Sequence, residues 1–142
     1  MQQIASELGT PKIGYTARDD AHTHSMFEFV RTNETVNNWT KLFTVVAVRV
    51  DVAQTQAETK AEILRLRGLL AKSHATISAY DVRDQAPPVV YFKYVLGGET
   101  NVGVIFSPIP GIITTQQVAA RRSGVITAED IRHIKQLVGY PG

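Results

Sequence analysis

Val89-Val90-Tyr91-Phe92-Lys93-Tyr94-Val95-Leu96-Gly97-Gly98-Glu99-Thr100-Asn101-Val102-Gly103-Val104-Ile105-Phe106 is the stretch that decides the fold. It holds two runs rich in β-branched and aromatic residues, parted by two glycines. Such runs fit a pleated, half-buried surface. Gly97-Gly98 takes the positive φ that a two-residue hairpin turn demands, so the runs pair antiparallel. Outward on either side the pattern repeats. Residues 76–83 read as a strand with Ile77, Ala79 and Tyr80 as apolar members, closed by the Asp84-Gln85-Ala86-Pro87-Pro88 loop. Residues 112–122, after the Ser107-Pro108-Ile109-Pro110-Gly111 turn, read as a further strand, polar in its middle at Thr114, Thr115, Gln116 and Gln117. Short turns between successive strands define a meander, because parallel strands need crossovers of a dozen residues or more. That argues against a Rossmann-type nucleotide fold.

Further out, residues 54–74 predict one long helix. Ala57, Ala61, Leu64, Gly68 and Ala71 keep helical spacing, and Ile63, Leu66 and Leu70 widen the stripe. Gly68 inside it reads as a close approach to the sheet. Residues 42–52 give the strongest strand signal, with Leu42, Thr44, Val46, Val48, Val50 and Val52 on one face; that predicts a central strand under helices. Residues 12–18 and 25–31 predict two earlier strands. Residues 1–11 read as a loose lead-in or a short helical turn. Thr127-Ala128-Glu129-Asp130 has the form of a helix start. Ile131, Ile134 and Val138 continue it, and Gly139 and Pro141 end it. The expectation is a single α+β domain over residues 1–142. Its core is a largely antiparallel sheet of about six or seven strands, flanked by one long and one short helix.

Composition bounds the chemistry. The chain has 142 residues, 44% hydrophobic and 20% charged, within the range of soluble globular domains. Fifteen Lys and Arg against thirteen Asp and Glu leave a net charge of +2, too small to point to nucleic acid. There is no cysteine, which removes disulfides, Cys-ligated zinc, iron–sulfur clusters and a thiol nucleophile. No apolar run is long enough for a transmembrane helix. The opening residues lack a signal peptide's basic and apolar regions, so a cytoplasmic protein and a mature exported domain with an added Met both remain. Asn33-Glu34-Thr35 and Asn38-Trp39-Thr40 match the glycosylation pattern, a match common by chance.

The segment Glu34-Thr35-Val36-Asn37-Asn38-Trp39-Thr40-Lys41-Leu42-Phe43-Thr44-Val45 resembles a small bacterial family with an E-T-x-x-N-W-T motif between an early strand and a central one. The order of elements that follows is also similar. Through that family the chain resembles the Mog/PsbP-like α/β/α sandwich group, which is mainly non-enzymatic. Its members include photosystem accessory subunits, a Ran-binding factor, bacterial lipoproteins and secretion-system adaptors. The resemblance implies an accessory or protein-binding role in a bacterial system, possible links to secretion, and a place in the periplasm or cell exterior ahead of the cytoplasm. It hands over no catalytic residue and no cofactor. Read from the residues alone, Trp39 plugs one end of the core, with its N–H reaching a carbonyl or water.

Motifs for nucleophilic catalysis and phosphate binding are missing: there is no G-x-S-x-G, P-loop, H-E-x-x-H or G-x-G-x-x-G. Gly97-Gly98-Glu99 lacks the helix a phosphate cradle needs. Asp19-Asp20-x-His22-x-His24 is the one metal-like cluster. His22 and His24 share a face of an extended segment, and Asp19 or Asp20 could complete a triad. It carries the alternative of a small-ligand- or metal-binding protein or hydrolase using Asp19, His22 and His24; the other reading is a solvated loop. Arg121, Arg122, Arg132 and Lys135 make the C-terminal third locally basic. Residues 114–117 look like an exposed edge strand able to pair with a second copy or a partner. Arg121, Arg122, Gln116, Gln117 and Trp39 are thus the candidate partner-binding residues. Tyr91, Phe92, Tyr94 and Phe106 are expected in the core, unless one sheet face is wider than its helices and leaves an aromatic patch. The function expected is a non-catalytic interaction module without a cofactor. A toxin-neutralising immunity protein is a further alternative.

Overall fold

The computed structural model describes every residue except Asp20, His22, Pro141 and Gly142. In chain order the elements are α1 (Gln2–Glu7), β1 (Lys12–Arg18), β2 (His24–Val30), β3 (Lys41–Arg49), α2 (Thr55–Lys72), β4 (Thr76–Arg83), β5 (Val89–Leu96), β6 (Glu99–Ile109), β7 (Ile112–Ala120) and α3 (Ala128–Gln136). One 3-10 turn, Val52–Gln54, leads into α2. The strands form a seven-stranded sheet in the order β1-β2-β3-β7-β6-β5-β4, and all neighbours run antiparallel. Gly97 and Gly98 sit at φ of +56° and +79°, as the hairpin between β5 and β6 requires. Two meanders therefore meet at β3 and β7. After β3 the chain runs through α2 to the far edge, and β4 to β7 walk back.

That return path overturns the edge-strand reading. β7 is bonded to β3 on one side and β6 on the other, so dimerisation through residues 114–117 has no edge to use. Two of the polar residues in the middle of β7 are satisfied inside the molecule. The Thr114 hydroxyl donates to the Val46 carbonyl at 2.9 Å, and the Gln117 amide donates to the Tyr94 hydroxyl (2.9 Å) and the Asn101 side-chain oxygen (2.7 Å). The edges are β1 and β4.

Alternation along the strands sends successive side chains to opposite faces. One face is packed by α1 and α3. Phe29, Phe43, Val45, Tyr91, Val102, Val104 and Val118 meet Ala5, Leu8 and Ile134 there. The residues before β1 are therefore no loose lead-in: Ala5 and Leu8 are fully buried. The other face is packed by α2, where Ile63 and Leu70 meet Val90, Phe92, Tyr94, Ile105 and Ile113. Tyr91, Phe92 and Tyr94 are core residues, as expected, and leave no aromatic patch.

The buried side of α2 differs from the predicted stripe. Thr55, Thr59, Ile63 and Leu70 are buried, whereas Ala57, Ala61, Gly68 and Ala71 face out and Leu64 is 63% exposed. Two threonines can line a core because the helix itself satisfies their hydroxyls: Thr59 donates to the Thr55 carbonyl (2.6 Å) and Thr55 to the Val52 carbonyl (2.7 Å). Gly68 has open space where a Cβ would stand, so it is no close-approach point.

α3 starts as predicted. Thr127 is its N-cap, and a reciprocal capping box joins Thr127 to Asp130. Asp130 also holds Lys41 of β3 at 2.6 Å, with both side chains largely buried. The predicted stop at Pro141 lies outside the described residues. Among the described residues no helix is long and apolar enough to cross a membrane.

Candidate functional site

α2 is narrower than the sheet it covers. It packs against β5, β6 and β7, and leaves the same face of β1, β2 and β3 without a helix. By register, Tyr15, Glu28, Thr44 and Gln117 form one row across that open half, and Ala17, Met26, Val46 and Thr115 form the next. His24, Val48 and Ile113 follow. Met26, Val46 and Val48 are half-buried, and Tyr15 is 41% exposed. Glu62 and Arg65 of α2, paired at 2.7 Å, stand over the β3–β7 side of this floor. A cleft of about 430 Å³ runs between them and His24, Val46, Val48 and Thr115.

The E-T-x-x-N-W-T segment builds the wall at one end. Thr35 and Asn38 close a tight turn through reciprocal backbone hydrogen bonds. Glu34 accepts from the Thr40 N–H (2.9 Å) and the Thr40 hydroxyl (2.6 Å). Trp39, the single tryptophan, is 8% exposed and packs with Val30, Leu42 and Ala119. The Arg121 guanidinium lies 3.9 Å from the centre of its ring, and Arg121 Nε donates to the Trp39 carbonyl at 2.8 Å. Arg122 Nη1 donates to Asn38 Oδ1 at 3.0 Å. The motif residues thus hold one another and clamp the end of β7. Trp39 caps a core, as its size suggests.

Glu34 makes this wall sensitive to acid. Burial pushes its carboxyl up, but the Thr40 hydroxyl, the N–H groups of Thr40 and Lys41 and the charge of Arg31 together outweigh it and hold the carboxyl below 4.5. A depressed carboxyl contributes stability that is present above its unfolded value and lost as pH falls through the folded one. Glu34→Gln is expected to cost about 1 kcal/mol near neutrality and to flatten the fall of stability in acid. Urea unfolding of both chains at neutral and acidic pH measures this; parallel pH profiles would exclude it.

At the opposite end stands the β1–β2 connection. Asp19 accepts from the Thr23 hydroxyl (2.5 Å), the Thr23 N–H (2.7 Å) and the His24 N–H (3.1 Å), and touches His24 Nδ1 at 3.1 Å. The Thr23 hydroxyl, with the His24 and Thr23 N–H groups, holds its carboxyl far below the ordinary range. Asp19 closes a turn and touches His24 within it. His22 and Asp20, the other members of the metal-like cluster, lie outside the described residues. Among the described residues no group of three potential ligands gathers.

The predicted partner-binding residues divide. Trp39, Arg121 and Arg122 come together in the end wall, and Gln117 lies on the floor. Gln116 points to the opposite face, because it follows the register of Val45 and Val104. The basic residues do not stand free: Arg121 also approaches Glu99 at 3.8 Å, Arg132 pairs with Glu129, and Lys135 lies 5.0 Å from the Tyr91 ring centre. Sequence reading missed the floor itself. Its row of Glu28, Thr44 and Gln117 comes from three strands whose neighbours only the topology sets.

No family model matches the chain, and no curated protein matches it. Among solved structures it is similar to the solution structure of cyanobacterial PsbP from Synechocystis sp. PCC 6803, with a TM-score of 0.42 and 8% identity over 76% of this chain and 80% of that one. At that distance no side chain of this protein takes a role from the likeness.

Proposed function

We propose that this protein is a non-catalytic interaction module that receives a protein partner on the open half of the α2 face. The observation that carries the reading is the trough itself. Its floor holds Tyr15, Met26, Val46 and Val48, and it is bounded by α2, the Trp39 wall and the Asp19–His24 turn. Apolar floor left in water forgoes about 25 cal/mol per Å², and a covering partner recovers it. The accessory role in a bacterial, secretion-associated assembly that the motif resemblance implies is the setting we assign. An immunity protein would use the same trough on a toxin.

A photo-crosslinking residue at Val46 is expected to give an adduct of defined mass in cells of the source organism. The same residue at Ala57, on the outer side of α2, is expected to give none. The identity of the adduct separates an assembly subunit from a toxin. No adduct from Val46, or the same adducts from both positions, would overturn the reading.

A further inference from the structure

Glu28 stands on the trough floor beside Tyr15 and Thr44, next to the Trp39 wall. It is half-buried, and among the described residues its carboxylate has no hydrogen bond and no ion pair. Three cations that border the trough are engaged elsewhere. Lys12 donates to the Glu34 carbonyl at 3.2 Å, Arg65 is held by Glu62 at 2.7 Å, and Arg121 stacks on Trp39. Toward the other end the floor turns apolar at Met26, Val46 and Val48 before it reaches Asp19. The trough thus shows an unpaired carboxylate near the Trp39 wall and then an apolar bed, with Arg18 and Asp19 lining its far end.

Three features of the fold choose the occupant. β2, β3 and β7 are each bonded on both sides, so a strand laid on this face finds no backbone partner and would press its own N–H and C=O groups onto apolar side chains. A helix satisfies its backbone internally. The three strands that α2 leaves uncovered, β1, β2 and β3, span about 10 Å between the outer two, the width of one helix of about 10 Å beside α2. A second copy laid floor to floor about an axis near Glu28 would set the two Glu28 carboxylates against each other.

Resting on the docking role proposed above, we infer that the trough takes an amphipathic helix of a partner protein, set beside α2, whose Lys or Arg pairs with Glu28. Its apolar residues three, four and seven positions along lie over Met26, Val46 and Val48. The helix completes the layer that α2 leaves half built.

The test is a displayed library of helical peptides with varied surface positions, selected against the full chain. Selected helices are expected to carry Lys or Arg one turn before an apolar stripe. Their affinity is expected to vanish with Val46→Arg and to fall about tenfold or more with Glu28→Lys. A Lys→Glu change in the peptide should restore binding to the Glu28→Lys chain. Glu28→Gln, nearly isosteric, checks that the loss is one of charge rather than of folding. Helices that depend on Val46 but ignore both Glu28 variants would overturn this inference and leave the docking reading standing. A selection in which no binder responds to Val46→Arg would overturn both. A concentration-dependent dimer, seen by sedimentation and lost with Val46→Arg, would seat a second copy in the trough and overturn the helix.

Discussion

Asp130→Ala is expected to cost the fold about 3–5 kcal/mol, because it strands a buried ammonium. Lys41 Nζ sits 2.6 Å from Asp130 Oδ2, and the two side chains are only 12% and 4% exposed. The same carboxylate oxygen accepts the Thr127 N–H at 2.8 Å, while the Asp130 N–H takes the Thr127 hydroxyl at 3.1 Å. Alanine removes the counter-ion and half of the helix cap together. The cap alone is worth about 1 kcal/mol. The seam matters because α3 brings Ile134 onto Phe43, Val104 and Val118. Asp130→Asn keeps an acceptor for Thr127 and no charge for Lys41, so it should fall between. Replacing both partners, Lys41→Met with Asp130→Leu, should recover most of the loss, since two apolar groups need no desolvation repaid. Urea unfolding followed by circular dichroism gives the series. A loss below about 1 kcal/mol for Asp130→Ala would mean that water reaches the pair.

The parts of the fold that were legible in the chain are those set by neighbours in sequence. β4 and β5 occupy the predicted residues because the Pro87-Pro88 loop and the Gly97-Gly98 turn fix their ends. Thr127 caps α3 as its spacing to Asp130 foretold. Two misreadings come from polar atoms whose hydrogen bonds the sequence does not display. Thr114 and Gln117 looked solvated, yet Val46, Tyr94 and Asn101 accept their hydrogen bonds in mid-sheet. Thr55 and Thr59 stand outside the predicted apolar stripe of α2, yet both are buried, their hydroxyls turned back on the chain just before them. α1 stood only as one of two alternatives, a short helical turn beside a loose lead-in, because only Ala5 and Leu8 mark its buried side, too few for a periodic signal.

The site divides in the same way. The Trp39 wall could be suspected from twelve consecutive residues, because its bonds are mostly local. The floor could not, because β7 enters beside β3 only after the chain has passed through α2 and three further strands. One sheet face does outrun its helices, at the β1–β3 half and not beside the aromatic strands, where the sequence offered that alternative. A motif that stands out in sequence therefore describes how the trough is closed, and the residues that would touch a partner are spread over strands that stand out less.

Gly124→Ala should test that division directly, with an expected loss of about 3 kcal/mol or more. A Cβ at Gly124 would overlap the Thr40 carbonyl oxygen and come within 2.8 Å of its carbon. Those atoms are backbone, so no rotamer change relieves the clash. The Thr40 carbonyl also accepts the Arg121 N–H at 2.9 Å, and the Thr40 N–H and hydroxyl are held by Glu34. Moving Thr40 therefore loosens Arg121 from Trp39 and opens the end wall. Trp39, alone of its kind, reports this through a red-shifted emission as its ring meets water. Gly68→Ala is the contrast within the same chain. Its Cβ would meet open space on the outer side of α2, so alanine should stabilise by about 1 kcal/mol through helix propensity and leave the emission unchanged. If Gly124→Ala stays within about 1 kcal/mol of the parent and keeps the emission of a buried ring, then the wall adapts to a methyl group. In that case the motif segment is looser than its hydrogen bonds imply, and it becomes a candidate for contact with a partner rather than the frame that positions one.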